Sequence, residues 1–323
     1  MDEHLLTSDR LRVGVIPLGA TLCRVELDGI PVALALPGPD DYQDRARNPH
    51  LGASAGRYAN RIDGAAFTLD GVEHHLDAND GPNTLHGGPQ GFGHRMWTVL
   101  DGNPSRLRLR FNSPSGDQGF PGALTATATY SVHGELLGID YEAESDAPTV
   151  VNLTNHSYWN LGQGIVSGDG SAQGQVLAVA AARYLPVDAA GIPTGSLAAV
   201  DGTPFDLRRP TLLGEVMGDV TGGGFDHCFD LGNDEGTMHS AAVLQHPATG
   251  RWLEVSTDQV GVQVYTANNL GPPFARHGAV CLETQRFPDA PNRPQFPSAV
   301  LRPGDRYRSR TEIRFGVGRA PSL

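Results

Sequence analysis

Short alternating segments separated by turn residues run through the whole of this chain. Gly (41) and Pro (24) together make about a fifth of its 323 residues, well above average usage. From Arg106 to Phe111 arginines alternate with apolar residues, as in a strand with one face in water. Asp70-Gly71 separates Phe67–Leu69 from Val72–Leu76, a spacing typical of a two-residue hairpin. This pattern restricts the chain to a fold of many short strands.

Helical periodicity, by contrast, is scarce. Short helices are predicted only near Pro39–Arg47 and Thr211–Met217. We find no internal repeat, low-complexity tract or linker that would divide the chain. The sequence therefore predicts an all-β fold, most simply a large sandwich of antiparallel sheets with long functional loops, in a single domain over residues 1–323.

Charge and residue usage exclude several classes of function. A formal net charge of -12 disfavours nucleic acid and anionic membrane surfaces as partners, and the apolar residues are too dispersed for a membrane span. Lysine is absent, which excludes Schiff-base catalysis and a P-loop. Cys23, Cys228 and Cys281 are odd in number, widely separated and in no C-x-x-C arrangement, which argues against a disulfide framework and a thiolate zinc site. The N-terminus lacks a signal-peptide pattern, so we expect a cytoplasmic protein.

The segment Val150–Asn160 begins as an apolar strand and then becomes densely polar and aromatic. If the strand continues, His156 and Tyr158 point to the same side. A histidine can exchange a proton near neutral pH, and an aromatic ring suits the apolar face of a sugar. A strand end whose polar groups only satisfy buried backbone explains the segment equally well.

Four further segments carry polar side chains that could meet a ligand. Asn60 and Arg61 end a glycine-containing loop, and the planar fork of an arginine can hold two sugar hydroxyls, although a surface arginine is the simpler interpretation. His86 precedes two glycines that would let backbone approach a ligand closely. Asp226 follows three glycines and suits an Asx turn or a substrate-facing carboxylate. Glu283 lies in an apolar strand, where a general base is one reason to bury it.

The sequence gives little support to a metal or a cofactor. His74 and His75 are adjacent in a strand and face opposite sides, and no H-x-x-x-H or H-E-x-x-H spacing occurs on a helical segment. A G-x-S-x-G match at Gly52–Gly56 lacks the strand before it and the helix after it that a serine hydrolase needs. We therefore expect no cofactor and no metal.

Taken together, these segments resemble the aldose 1-epimerase (galactose mutarotase) family, from about Gly19 to Phe315. The similarity rests on the number and order of its motifs, which read Gly56-Arg-Tyr-Ala-Asn-Arg-Ile62, Leu85-His-Gly-Gly88, Asn152-Leu-Thr-Asn-His-Ser-Tyr158, Leu185-Pro-Val-Asp188, Gly202-Thr-Pro-Phe-Asp206, Phe225-Asp-His227, Val264-Tyr-Thr266, Leu282-Glu-Thr-Gln285, Phe296-Pro-Ser298 and Leu301-Arg-Pro-Gly304. The resemblance implies a β-supersandwich and an isomerase that interconverts the α and β anomers of a free aldose.

By motif, Glu283 resembles the family's general base and His156 its general acid. The substrate-binding residues implied in the same way are Asn60, Arg61, His86, Tyr158, Asp226 and Gln263. We expect nearby negative charge to favour the imidazolium of His156. In a bell-shaped pH profile we expect the acidic limb from Glu283 and the basic limb from His156. The expected partner is a small sugar, and the expected state is a monomer or weak homodimer.

Three other functions remain open. A non-catalytic sugar-binding or sensing protein could use the same fold. An epimerase for hexose 6-phosphate would need an arginine cluster for the phosphate. An inverting glycoside hydrolase could use Asp226 and Glu283 as its two carboxyl groups but would leave His156 and His86 unexplained.

Overall fold

A computed structural model describes residues 1–162 and 171–323 of the chain. The first strands are β1 (His4–Thr7), β2 (Leu11–Ile16), β3 (Thr21–Leu27), β4 (Ile30–Pro31), β5 (Ser54–Ala55), β6 (Arg61–Ile62), β7 (Ala66–Leu69), β8 (Val72–His75), β9 (Thr84–Leu85), β10 (Thr98–Asn103), β11 (Arg106–Ser113), β12 (Leu124–His133) and β13 (Leu136–Ser145). The later strands are β14 (Thr149–Val150), β15 (Thr154–Asn155), β16 (Tyr158–Trp159), β17 (Val176–Val179), β18 (Arg183–Tyr184), β19 (Ala198–Ala199), β20 (Thr211–Leu212), β21 (Asp226–Asp230), β22 (His239–Gln245), β23 (Arg251–Thr257), β24 (Gly261–Tyr265), β25 (Val280–Gln285), β26 (Val300–Leu301) and β27 (Tyr307–Val317).

Among residues 1–162 and 171–323, helical structure is limited to short segments. The α-helix α1 spans Leu213–Val216, and the 3₁₀ turns are Pro39–Gln43, Asp63–Ala65, Phe92–His94, Asp117–Gly119, Ala172–Gly174, Met217–Asp219 and Ala290–Asn292. Within the described residues, no helix is long and apolar enough to cross a membrane.

Two large antiparallel sheets form the body of the fold. One has nine strands in the order β10-β11-β12-β13-β27-β23-β22-β17-β20, and the other has six in the order β16-β25-β24-β21-β18-β19. A four-stranded sheet, β1 to β4, lies beside them. The long strand β27 pairs with β13 on one side and β23 on the other. This pairing joins segments from the middle and the end of the chain. It supports a single domain over residues 1–323, which stays a prediction.

The main core lies between the inner faces of these two sheets. The nine-stranded sheet contributes residues such as Leu253 and Phe315, and the six-stranded sheet contributes Val262 and Leu282. Trp159 of β16 meets Phe315 of β27 edge to face, with ring centroids 5.7 Å apart. Because side chains alternate along a strand, the residues between those core positions on β24 and β25 face the opposite side of the six-stranded sheet.

The all-β prediction is confirmed, and the predicted hairpin is present as β7 and β8 with Ala66 opposite His75. The segment Val150–Asn160 differs from one continued strand, since it forms the three two-residue strands β14, β15 and β16. Its amides explain the breaks. Asn152 Nδ2 donates to the carbonyls of Ala59 and Arg286, and these bonds turn the chain toward neighbouring loops. Part of this segment therefore forms hydrogen bonds with buried backbone, which was one of the two interpretations of the sequence.

Arg57 is an unusual member of the interior, because its side chain is buried without a carboxylate partner among the described residues. Its Nη1 donates to the carbonyls of Pro121 and Gly122 at 2.7 and 2.8 Å, and its Nη2 donates to Ser113 Oγ at 2.6 Å. The guanidinium also lies 5.6 Å from the ring centroid of Phe120. One side chain thus fixes the connection from β11 to β12 against the loop that carries Asn60.

Replacing Arg57 by Ala should destabilise the protein strongly. The change leaves several buried carbonyls without a donor, and breaking a buried polar network of this kind costs about 3 kcal/mol or more. Urea denaturation measures the loss as a lower transition midpoint. The matched control is Arg302→Ala, which removes an exposed pair with Asp70 and should barely shift the midpoint, because water screens such pairs. Equal losses in the two variants would contradict a structural role for Arg57.

Candidate active site

The outer face of β24 and β25 forms the floor of the candidate site. Val264 and Leu282 face the core, so Gln263 and Glu283, which are paired across the two strands, face the other way. Glu283 is only 2% exposed. Its neighbour on β21, Asp226, accepts a hydrogen bond of 2.7 Å from Gln263 Nε2. Three adjacent strands therefore bring two carboxyl groups to one place.

His156 and Tyr158 form one wall of the site. Their rings are stacked, with centroids 5.0 Å apart and planes at 24°. The Tyr158 hydroxyl donates to the carbonyl of Pro49, and His156 Nδ1 lies 3.6 Å from Cys281 Sγ on β25. Both side chains point to the same side, as the alternation along the segment predicts, although β15 and β16 are interrupted between them.

Two loop residues in left-handed conformations form an adjoining wall, where the His86 ring meets His156 edge to face with centroids 5.2 Å apart. Asn60 has φ 62° and His86 has φ 51°. The His86 backbone N–H donates to the carbonyl of Asn60 at 3.0 Å, and the Asn60 backbone N–H donates to His86 Nδ1 at 3.2 Å. A Cβ on Gly87 would lie 2.0 Å from the carbonyl oxygen of Gly56, so this close approach of two loops requires glycine. Since Nδ1 accepts, a neutral His86 carries its proton on Nε2 and is a fixed donor.

These walls and floor enclose a cavity of about 150 Å³. Its lining residues are Pro49, His50, Asn60, Arg61, Leu85, His86, His156, Tyr158, Asp226, Tyr265, Asn269 and Glu283. Seven of the eight residues that the sequence suggested are therefore brought together. Gln263 is the exception: it is 3% exposed and does not line the cavity, and it contacts the site through Asp226.

Sequence reasoning missed several lining residues, of which His50 and Tyr265 are the largest. Tyr265 follows Gln263 by two positions on β24, so strand alternation could have found it. His50 follows a proline in a loop and carried no such signal. Its ring lies 5.0 Å from His86 and 6.2 Å from His156, between centroids. Burial lowers the pKa of His50 to about 3, so it is a neutral ring beside both histidines.

His156 and Glu283 bring an imidazole and a carboxyl group close together inside the cavity. His156 Nε2 lies 3.7 Å from Glu283 Oε1, which is too long for a direct hydrogen bond. Glu283 Oε2 is buried and accepts no hydrogen bond from any residue in 1–162 or 171–323. An unpartnered buried acceptor is costly, and a ligand hydroxyl in the cavity would satisfy it.

Burial favours the neutral form of both groups. It lowers the pKa of His156 to about 4. Burial first, and then the charge of Asp226, raises the pKa of Glu283 well above its usual value, while Arg61 opposes the rise. Nearby carboxylates were expected to favour the imidazolium of His156, but loss of hydration outweighs their attraction. Burial thus favours a neutral imidazole and a protonated carboxyl over the charged pair.

Comparison with known proteins identifies the family. The sequence model of the family described as Aldose 1-epimerase matches residues 2–314. The chain belongs to the aldose 1-epimerase family. Galactose mutarotase from Mus musculus is 41% identical over 334 residues, covering 98% of this chain and 94% of the relative. Aldose 1-epimerase from Escherichia coli (strain K12) is 38% identical over 323 residues, covering 94% of this chain and 91% of the relative.

Solved structures agree with this membership. A GalM/aldose epimerase homologue from C. elegans has a TM-score of 0.90 at 27% identity, with 98% of this chain and 100% of that chain covered. Galactose 1-epimerase from Lactobacillus acidophilus NCFM has a TM-score of 0.86 at 30% identity, with 98% and 95% covered. The supersandwich implied by the sequence motifs is therefore the fold of this epimerase-family chain.

A metal ion does not fit this epimerase-family site, although three ligand atoms are close enough to suggest one. One atom each from His86, His156 and Glu283 lies within 4.8 Å of the others. His86 cannot serve, because its Nδ1 accepts the Asn60 N–H and its Nε2 therefore carries a proton instead of a lone pair. The Nε2–H of His86 prevents metal binding at that atom and makes His86 a hydrogen-bond donor to an oxygen.

Replacing Glu283 by Gln should stabilise the protein, and more so at higher pH. The folded protein keeps a proton on Glu283 that the unfolded chain releases above about pH 4.3. A state that binds more protons loses stability as pH rises, and Gln removes that loss. The melting temperature of Glu283→Gln relative to wild type should therefore increase from pH 5 to pH 8. The exposed Glu73→Gln is the control, and a difference that shrinks over this range would contradict a proton on Glu283.

Proposed function

We propose that the protein interconverts the α and β anomers of a free aldose such as glucose or galactose, with Glu283 as general base and His156 as general acid. The observation that carries the proposal is the 3.7 Å separation of His156 Nε2 and Glu283 Oε1 in a buried cavity. Anomerisation needs one proton removed from the C1 hydroxyl and one delivered to the ring oxygen. A carboxylate and an imidazolium that face one sugar provide both.

The active ionisation arises when a sugar binds. Sugar hydroxyls that donate to Glu283 Oε2, the unpartnered acceptor, stabilise its charged form. The proton then moves from Glu283 to His156, with no change in the net charge of the pair. Because the two titrations are coupled, apparent pKa values belong to the pair.

The reaction proceeds through an open chain. Glu283 takes the O1 proton as C1=O1 forms, the C1–O5 bond breaks, and His156 protonates O5. Rotation about C1–C2 presents the other face of the aldehyde. O5 then returns its proton to His156 as it attacks C1, and Glu283 returns a proton to O1. Every step is a proton transfer or a bond within the sugar, so the mechanism needs no cofactor.

The remaining residues hold the sugar in place. His86 Nε2 donates to a sugar oxygen, and Asp226, fixed by Gln263, accepts from a hydroxyl. Arg61 and Asn60 contribute donors from the adjoining loop, and the Tyr158 ring covers the apolar face of the pyranose. A group that binds ground state and transition state equally affects KM more than kcat.

The alternatives fit the site less well. Arg61 is the one arginine among the described residues that line the cavity, and it faces two carboxyl groups, which disfavours a sugar phosphate. A two-carboxylate hydrolase has no use for His156 beside Glu283. A purely sugar-binding protein gains nothing from burying a glutamate and a histidine that each lose solvation.

Glu283→Gln should lower kcat by roughly 10²–10⁴-fold with little change in KM, because it keeps the shape and removes the base. His156→Asn should do the same, since an amide can bind the ring oxygen but does not release a proton. Polarimetry on freshly dissolved α-glucose and α-galactose measures both variants after subtraction of the spontaneous rate.

The double variant tests whether the two residues work as one unit. Glu283→Gln with His156→Asn should be little worse than either single change, because groups that act together are non-additive. Multiplied losses would mean that they act independently. Near wild-type turnover in Glu283→Gln would exclude it as the base and make Asp226 the next candidate.

The dependence of kcat/KM on pH should be a broad bell. The acidic limb reflects a second proton on His156, whose pKa is lowered to about 4, and the basic limb reflects loss of the Glu283 proton. This order is the reverse of the one expected from sequence. The acidic limb should lie below about pH 6.5, the ordinary value of a histidine, and the basic limb above about pH 4.3, the ordinary value of a glutamate. An acidic limb at or above about pH 6.5 would contradict the effect of burial on His156.

A further inference from the structure

The motif Leu185-Pro-Val-Asp188 has no part in the proton transfers, yet it leads into a turn beside the site. The Asp188 carboxylate accepts hydrogen bonds from the backbone N–H groups of Ala190 and Ile192, at 2.8 and 2.9 Å. The Asp188 N–H donates to the carbonyl of Ile192, and the Gly191 N–H donates to the carbonyl of Asp188. Four hydrogen bonds within five residues make this turn rigid, with Gly191 at its tip.

Gly191 lies directly against the guanidinium of Arg61. A Cβ at this position would be 2.9 Å from Arg61 Nη1 and 3.0 Å from Cζ, closer than carbon normally approaches either atom. Gly191 also has φ +77°, in the left-handed region that favours glycine. The turn thus presents a flat piece of backbone to one face of the guanidinium plane.

Asp80 holds the same guanidinium from its edge. Arg61 Nε donates to Asp80 Oδ2 at 2.7 Å, a charge-assisted bond with good geometry. The Arg61 side chain is 17% exposed, and that of Asp80 is 36% exposed. Nη1 and Nη2 donate no hydrogen bond to the described parts of the chain, so both remain available to a ligand in the cavity that Arg61 lines.

We propose that Asp80 and the turn Asp188–Ile192 form a clamp that positions Arg61 for two hydroxyl oxygens of the sugar. This inference rests on the proposed function, in which Arg61 binds the substrate. An arginine side chain has several rotatable bonds, and fixing them before binding reduces the entropy that the sugar must overcome. The clamp leaves Nη1 and Nη2 of Arg61 facing the cavity. Their fixed position therefore determines which pair of sugar hydroxyls they can bind.

The first test is Asp80→Asn, which keeps the volume and removes the charge. KM should rise about tenfold, the value of one charge-assisted hydrogen bond, with kcat within about threefold of wild type. The affinity for the equilibrated sugar, measured by calorimetry, should fall by the same factor. Asp70→Asn, which removes an exposed pair with Arg302, is the matched control and should leave both values unchanged.

The second test is Gly191→Ala, which should raise KM as Asp80→Asn does by displacing the guanidinium. Its control is Gly71→Ala, because Gly71 has φ +79° but no atom within 4 Å of an added Cβ. Both variants carry the same backbone strain, and only the first contacts Arg61. Melting temperatures establish that each variant is folded.

The Arg61→Ala background distinguishes a clamp from an independent contact. Asp80→Asn should add nothing to the KM of Arg61→Ala, because Asp80 acts only through that side chain. The same tenfold loss in both backgrounds, or a wild-type KM in Asp80→Asn and Gly191→Ala, would overturn the clamp. If wild type fails to accelerate mutarotation of any aldose, the proposed function fails instead, and calorimetry with the same variants still tests whether the clamp governs sugar binding.

Discussion

The alternation of side chains along β24 and β25 is the constraint on which the rest of the site depends. One face of these strands is the hydrophobic core, with Val264 and Leu282 packed against the nine-stranded sheet. Because the backbone is held by that core and by pairing on both sides, the other face cannot shift without disrupting the sandwich. Glu283 is therefore rigid for the same reason that Leu282 is buried, and a base that is fixed before substrate arrives loses little entropy on reaction.

That rigidity holds several ionisable groups in a buried site. Acidic and basic side chains alternate from this site toward the surface. Burial raises the pKa values of Glu283 and Asp226, Arg61 opposes both rises, and Asp80 in turn pairs with Arg61. Arg61 reduces the cost of ionising both buried carboxyl groups, and its partner Asp80 reaches solvent. In the proposed reaction, this site ionises when sugar hydroxyls donate hydrogen bonds to Glu283.

Sequence predicted the parts of this arrangement that follow from local periodicity. The strand alternation placed His156 and Tyr158 on one side, the apolar strand around Glu283 predicted a buried carboxylate, and glycine patterns located the loops of Asn60 and His86. It could not predict His50, which reaches the site through the path of a long loop, nor the position of Gln263 behind Asp226. The sequence also could not predict that burial favours the neutral forms of Glu283 and His156, since this depends on how completely three separate segments exclude water.

The cation in the cavity wall is a guanidinium, and the chain has no lysine to put there instead. In the proposed reaction the sugar spends part of each cycle as an open-chain aldehyde, which condenses readily with primary amines. A lysine at the position of Arg61 would be held by Asp80 within reach of that carbonyl and would be a target for covalent capture by the substrate. Arg61 supplies the same positive charge through nitrogens whose lone pairs are delocalised, so the reactive intermediate meets hydrogen-bond donors and no nucleophilic amine.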